Sequence, residues 1–301
     1  MRPLLTWGAM LPYFEQPVLR VGPLSIHAFG IAVAVAMWAG LAMTQQRFRR
    51  LGLDPAVGQR LGAWVLGGGI LGAHLFSVLF YFPHKLRDDP WLLLRLWEDI
   101  SSFGGILGGV AGALLFFATR ASAEDRIARW AYLDGVAFVF PTTLAIGRFG
   151  CTLAHDHPGT LTTFPLAISL QSEAALTYIR GIYADAGRTI VEPAQAARAS
   201  TGFHDLGWYE FLFLTLVVVP LFQFWSRRGR ARGFYLLAFP ALYLPVRFGI
   251  DFLRIADTRY MGLTPAQCVA IVVMLTLPYF ARKLLQQGAD TAARPQCGPA
   301  A

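Results

Sequence analysis

Seven apolar stretches dominate the chain, near residues 26–43, 61–82, 103–119, 130–154, 207–225, 233–253 and 263–280. Each is close to the ~20 residues a helix needs to cross the hydrocarbon of a bilayer. A segment in lipid must satisfy its own backbone hydrogen bonds, so unbroken apolar runs of this length are read as helices. The expected fold is all-α: a polytopic transmembrane bundle of seven spans. Charge supports this. Only 15% of residues are Asp, Glu, Lys or Arg, against roughly a quarter in soluble domains, too few to coat a soluble protein of this size. Cys151, Cys268 and Cys297 are widely separated, which gives neither a disulfide framework nor a zinc motif.

The formal net charge is +8, and its placement decides its meaning. The segments after spans one, three, five and seven hold 14 Lys and Arg, among them Arg47, Arg49, Arg50, Arg227, Arg228 and Arg230. The opposite side holds 10, spread over about twice as many positions. Basic residues collect on the cytoplasmic side. The N-terminus is therefore expected outside and the C-terminus in the cytoplasm, with no nucleic-acid partner. Residues 1–25, broken by Pro3, Pro12, Pro17 and Pro23, do not form a signal peptide and are expected to lie on the membrane surface. Residues 1–285 are expected as one transmembrane domain. The long connection 155–206, between spans four and five, is a periplasmic insertion, a small subdomain or lid. Residues 286–301 are a polar tail, expected to be disordered.

Ionisable residues inside spans are costly and mark candidate sites. Arg247, Asp251 and Arg254 follow a spacing of i, i+4, i+7 and would share one helical face. Arg148 stands between Gly147 and Gly150, where small residues let a head group approach. Its planar guanidinium suits a phosphate. Asp134, four turns earlier on the same helix, could face the same interior. The alternative for both arginines is an ion pair with a carboxylate, for Arg148 with Asp134, Asp251 or one on another helix. His155-Asp156-His157 follows at the outer surface. The two histidines are candidate proton carriers, with a helix cap as the alternative, and the motif is too sparse to assign a metal. The stripe Gly104, Gly108, Gly112, with Gly67, Gly68, Gly69 and Gly72 in the preceding span, reads as close helix packing. These features fit a site for a lipid phosphate, and equally an anion pathway or lipid-binding site without chemistry.

The same residues carry a resemblance. GRFGCTLAHDHPG (Gly147–Gly159) resembles the signature of the prolipoprotein diacylglyceryl transferase family, including its closing Gly159, and Asp134 matches an Asp upstream of it. The run from Arg247 to Arg254 resembles a family R-F-x-x-E-x-x-R segment, with Asp251 in place of Glu. Trp208-Tyr209-Glu210, His27–Gly30 and the segment from Trp97 to Gly109 resemble three further motifs, in collinear order. The resemblance implies a bacterial inner-membrane enzyme. It would move the diacylglyceryl group of phosphatidylglycerol to the lipobox cysteine of a prolipoprotein signal peptide, without metal or soluble cofactor. Arg148 and Arg247 would act on the phosphate, and, because the family's base histidine is absent here, His155 or His157 would take the proton in its place. Gly147, Gly150, Gly159, Asp134, Tyr209, Glu210, Asp251 and Arg254 would bind substrate. Phe29 and Phe103 stand where the family has Tyr and His, and Ala154 where it has Asn. These departures leave open a related transferase with another acceptor.

Overall fold

The computed structural model describes residues 10–22, 24–96, 100–120, 122–191, 193, 198, 200–255 and 257–293. A hairpin of β1 (Val18–Val21) and β2 (Leu24–His27) leads into α1 (Ala28–Arg50). Asp54 caps α2 (Pro55–Phe76) by accepting from the Ala56 N–H at 2.8 Å, with Pro55 at the first helical position. A π-helical turn, Ser77–Tyr81, extends α2, followed by the short α3 (Pro83–Asp88). Then come α4 (Ser102–Thr119) and α5 (Ala123–Ala154). The expected insertion folds as β3 (Pro158–Thr162), β4 (Ile168–Ser169), α6 (Glu173–Asp185) and β5 (Gly202–Asp205). The chain closes with α7 (Leu206–Phe213), α8 (Val219–Ser226), α9 (Phe234–Ile250) and α10 (Pro265–Ala293).

Among the described residues, seven helical segments are long and apolar enough to cross a membrane: Ala28–Arg50, Pro55–Tyr81, Ser102–Thr119, Ala128–Ala154, Leu206–Ser226, Phe234–Leu253 and Pro265–Lys283. They coincide with the seven stretches read from the sequence. The expectation of helices alone needs one amendment, because two small antiparallel sheets are present among the described residues, β1-β2 and β3-β5-β4. The first falls in the proline-broken N-terminal segment. Its short strands turn at Gly22, whose φ of +59° suits glycine.

The chain divides into two compact units. One comprises residues 1–39, 142–217 and 247–264, the other 40–141, 218–246 and 265–301. In the first, α6 packs on the three-stranded sheet through Leu176 and Ile179, against Ile168, Leu170, Phe203 and Ile255. Leu11 joins the edge of this layer by pairing with Ile168. In the second, Phe48, Leu61, Phe116, Phe117 and Tyr132 form the core. Here the glycine stripe brings α2 and α4 into backbone contact. A Cβ built on Gly68 would lie 2.5 Å from the Gly108 carbonyl oxygen, and one on Gly72 2.6 Å from that of Gly104. The sequence reading of close helix packing holds.

Candidate functional site

The charged residues of the first unit converge. Asp205, just before α7, accepts from the Trp208 N–H at 3.1 Å and caps the helix. One turn on, α7 carries Glu210, which is 1% exposed. Its carboxylate is divided between two arginines from other helices: Arg148 Nε lies 2.9 Å from Oε2 and Arg247 Nη1 3.0 Å from Oε1. Arg247 also reaches Asp251 Oδ1 at 3.0 Å. Thr264 donates to the other oxygen of Asp251, and Arg254 Nε lies 3.5 Å from Oδ1. Arg254 is held in turn by Asp257 at 2.6 Å. Two buried carboxylates thus tie three guanidinium groups into one network. Arg148 does pair with a carboxylate on another helix, and that carboxylate is Glu210.

The Arg247–Asp251 pair forms as the spacing suggests, but the shared helical face ends early. α9 stops at Ile250, residues 251–253 form a 3-10 turn, and Arg254 has an extended backbone. Arg254 then pairs across with Gly159 in a β-bridge. A Cβ on Gly159 would meet the Leu253 carbonyl at 2.9 Å and the His204 Cβ at 2.8 Å. Glycine at this position lets the loop after α5 come against the end of the Arg247 helix. Gly150 makes room in the same way, for Ala32 of α1, whereas a Cβ on Gly147 would enter open space.

The two histidines differ. His155 follows the end of α5 with φ +50°, in the left-handed region where His is tolerated better than most residues. Its Nδ1 bonds Asp205 Oδ2 at 2.7 Å, and Tyr178 donates to its carbonyl. Tyr13 stacks on the ring at 5.1 Å and Phe14 lies tilted against it at 4.7 Å, leaving His155 1% exposed. His157 is less covered, at 13%. Its Nδ1 pairs with Asp156 and its Nε2 lies 3.2 Å from Arg148 Nη1. Burial first, then Arg254 and Arg148, push the His157 pKa below the ordinary histidine value despite Asp156. For Asp156, burial raises the pKa, and the charge and hydrogen bond of His157 with the two arginines outweigh it, so the net shift is downward.

Other expected substrate contacts are engaged elsewhere. The Tyr209 hydroxyl bonds His204 Nδ1 at 2.8 Å. Asp134 Oδ1 accepts from the backbone N–H groups of Tyr235 and Leu236, at 2.6 and 3.1 Å, which makes it a cap for α9 within the second unit. Phe103 is a buried core residue against Phe76, and Trp97 lies outside the described residues. Phe29 borders an open cleft of about 580 Å³, together with His27, Gly30, Ala154 and Asp156. Cys151 Sγ, an Asp156 oxygen and a His157 nitrogen lie within 4.8 Å of one another. Arg148 points at two of the three, with Sγ at 3.8 Å, so a guanidinium already supplies positive charge there. Sequence reasoning left Asp205 and Thr264 out of the site. Asp205 was detectable as a helix cap ahead of the apolar run of α7.

Residues 16–281 match the family model described as prolipoprotein diacylglyceryl transferase. Several curated relatives carry the name phosphatidylglycerol–prolipoprotein diacylglyceryl transferase. That of Chromohalobacter salexigens is 28% identical over 269 residues, 89% of this chain and 89% of its own length. That of Pseudomonas putida strain KT2440 is 26% identical over 277 residues, 88% of this chain and 93% of its own length. That of Frankia alni is 27% identical over 283 residues, 89% of this chain and 67% of its own length.

Proposed function

Because the chain belongs to the prolipoprotein diacylglyceryl transferase family, we propose that this multi-pass membrane transferase moves the diacylglyceryl group of phosphatidylglycerol to the lipobox cysteine of a prolipoprotein. The thiolate, the reactive form of cysteine, attacks the glyceryl carbon that bears the phosphate ester. A thioether forms and glycerol phosphate leaves. The observation that carries this reading is the buried bridge Arg148–Glu210–Arg247, two guanidinium groups held on one carboxylate. A phosphate presents the same kind of acceptor oxygens as Glu210, so both arginines can turn to it without losing a charged partner. They then stabilise the charge that grows on the departing phosphate oxygen. Gly150 lets α1 pack closely beside the helix that carries Arg148, and Asp251, itself held by Arg254, keeps Arg247 in place.

The basic collar at one side supports an outside N-terminus and a periplasmic insertion 155–206, in the inner membrane of a bacterium. The acceptor is then a signal peptide emerging on that side, and the donor is drawn from the surrounding lipid.

The test uses the purified full chain in phosphatidylglycerol liposomes with a lipobox peptide. The peptide gains the mass of one diacylglyceryl group as glycerol phosphate appears. Arg148→Ala and Arg247→Ala each lower the rate by about 100-fold or more, as removal of a charge-stabilising donor does elsewhere. Wild-type rates in either variant would remove the proposed phosphate role.

A further inference from the structure

We infer that His157, oriented by Asp156 and masked by Arg148 until a lipid phosphate draws the guanidinium away, is the general base that takes the proton of the acceptor thiol. The inference rests on the transfer reaction proposed above. A thiol with an ordinary pKa near 8.5 is only a few per cent ionised at neutral pH, so a proton acceptor in the site matters. The position at which the family resemblance implies a histidine holds Phe103, packed on Phe76 with no group that can accept a proton.

Two histidines lie within reach of Arg148 in sequence, and their surroundings separate them. His155 is closed in by Tyr13, Phe14, Tyr178 and Phe203. Its Nδ1 is committed to Asp205, the residue that also caps α7. It anchors the loop to the helix that carries Glu210. His157 keeps 13% of its side chain exposed, and its partner Asp156 lines the open cleft with Phe29 and Ala154.

The contacts of His157 define one protonation state. Arg148 has only N–H groups to offer, so Nε2 must carry a lone pair, and Nδ1–H must face Asp156. This is a neutral imidazole with its basic nitrogen covered by a cation. The charged or titratable groups facing it are Asp156 in its own loop, Arg148 and Cys151 on α5, and Arg254 beyond α9. When phosphate oxygens take over Arg148, Nε2 is uncovered and the thiol proton passes to it. The sulfur electron pair forms the C–S bond, and the C–O bond breaks with its pair going to the phosphate oxygen. The imidazolium then releases its proton to the leaving phosphate or to water. Lipid binding therefore precedes activation of the thiol.

The experiment measures kcat/KM for the lipobox peptide in phosphatidylglycerol liposomes from pH 5 to 9. The wild type rises through an ionisation in the ordinary histidine range, about 6.5, and is flat above it. His157→Gln keeps an acceptor for Arg148 but cannot take the proton. It loses about 10²- to 10⁴-fold at pH 7, leaves KM for the lipid near that of the wild type, and recovers as pH approaches the thiol's own pKa near 8.5. A loss equal at every pH, or no loss, overturns the inference. So does a wild-type profile that follows thiol ionisation alone, a result that needs no variant. A wild type that transfers nothing at any pH overturns the transferase reading, and this inference with it.

Discussion

The Arg148–Glu210–Arg247 network and the α2–α4 contact both lie on membrane-spanning helices, and they meet the absence of water in opposite ways. The network fills its space with charges that satisfy one another: Glu210 serves Arg148 and Arg247, and Asp251 serves Arg247 and Arg254. The α2–α4 contact presents no side chains where the helices are closest, since Gly68 and Gly72 face Gly104, Gly108 and Gly112. A contact made of bare backbone has no charged groups to satisfy and accepts no added atom. A charge network accepts no deletion, but its members can exchange partners for a ligand of similar charge. That difference suits one region to a scaffold and the other to the proposed site.

The contrast breaks most sharply at Gly72. A Cβ there meets the Gly104 carbonyl oxygen and the Gly108 Cα, each at 2.6 Å. The obstacle is backbone and cannot rotate away. Gly72→Leu is expected to cost more than the ~1–3 kcal/mol typical of overpacking, and to be read as loss of a monodisperse peak in detergent and a large fall in Tm. A variant with wild-type Tm would show that α2 and α4 do not touch as described.

Glu210→Gln tests the other side of the comparison. It preserves shape and removes the charge shared by Arg148 and Arg247. Breaking a buried pair costs about 3–5 kcal/mol, because the surviving charge is left uncompensated. Here an anion can compensate. Thermal unfolding in neutral detergent should show the full loss, and added phosphatidylglycerol should return part of it through binding to the folded state. Equal loss with and without the lipid would mean that the arginines hold the fold and not a phosphate.

How much of this was legible in the sequence follows from the same contrast. The spans and the glycine stripe were readable because each depends on local composition and period. Arg148, Arg247 and Asp251 stood out because charge inside an apolar run is rare. Their partner Glu210 was readable only as part of a resemblance, since a carboxylate one turn into a helix looks like any other. His155 and His157 looked alike in the sequence. Only tertiary contacts, Asp205 with Tyr13 and Phe14 for one and Arg148 with Asp156 for the other, separate them. The N-terminal hairpin was hidden because its strands are four residues each and lie among prolines.

Asp134 sharpens the comparison with the smallest effect. It is a charged residue within a span of the second unit, and the resemblance assigned it to the substrate. Its Oδ1 instead accepts two backbone N–H groups at the start of α9, from Tyr235 and Leu236. A carboxylate there satisfies donors that have no partner within the helix and meets the positive end of the helix dipole. Nearby, Arg47 lies over Phe138 at 4.1 Å and Tyr235 at 5.8 Å, which places a cation beside the cap. Asp134→Ala is then expected to cost about 1 kcal/mol, within the ~0.5–2 kcal/mol range of cap removals, and Asp134→Asn, which keeps the acceptor, to cost less. Both should keep the KM for phosphatidylglycerol. The opposite pattern, an unchanged Tm with a KM raised about tenfold or more, would return Asp134 to the substrate site and show that charge in the second unit also serves chemistry.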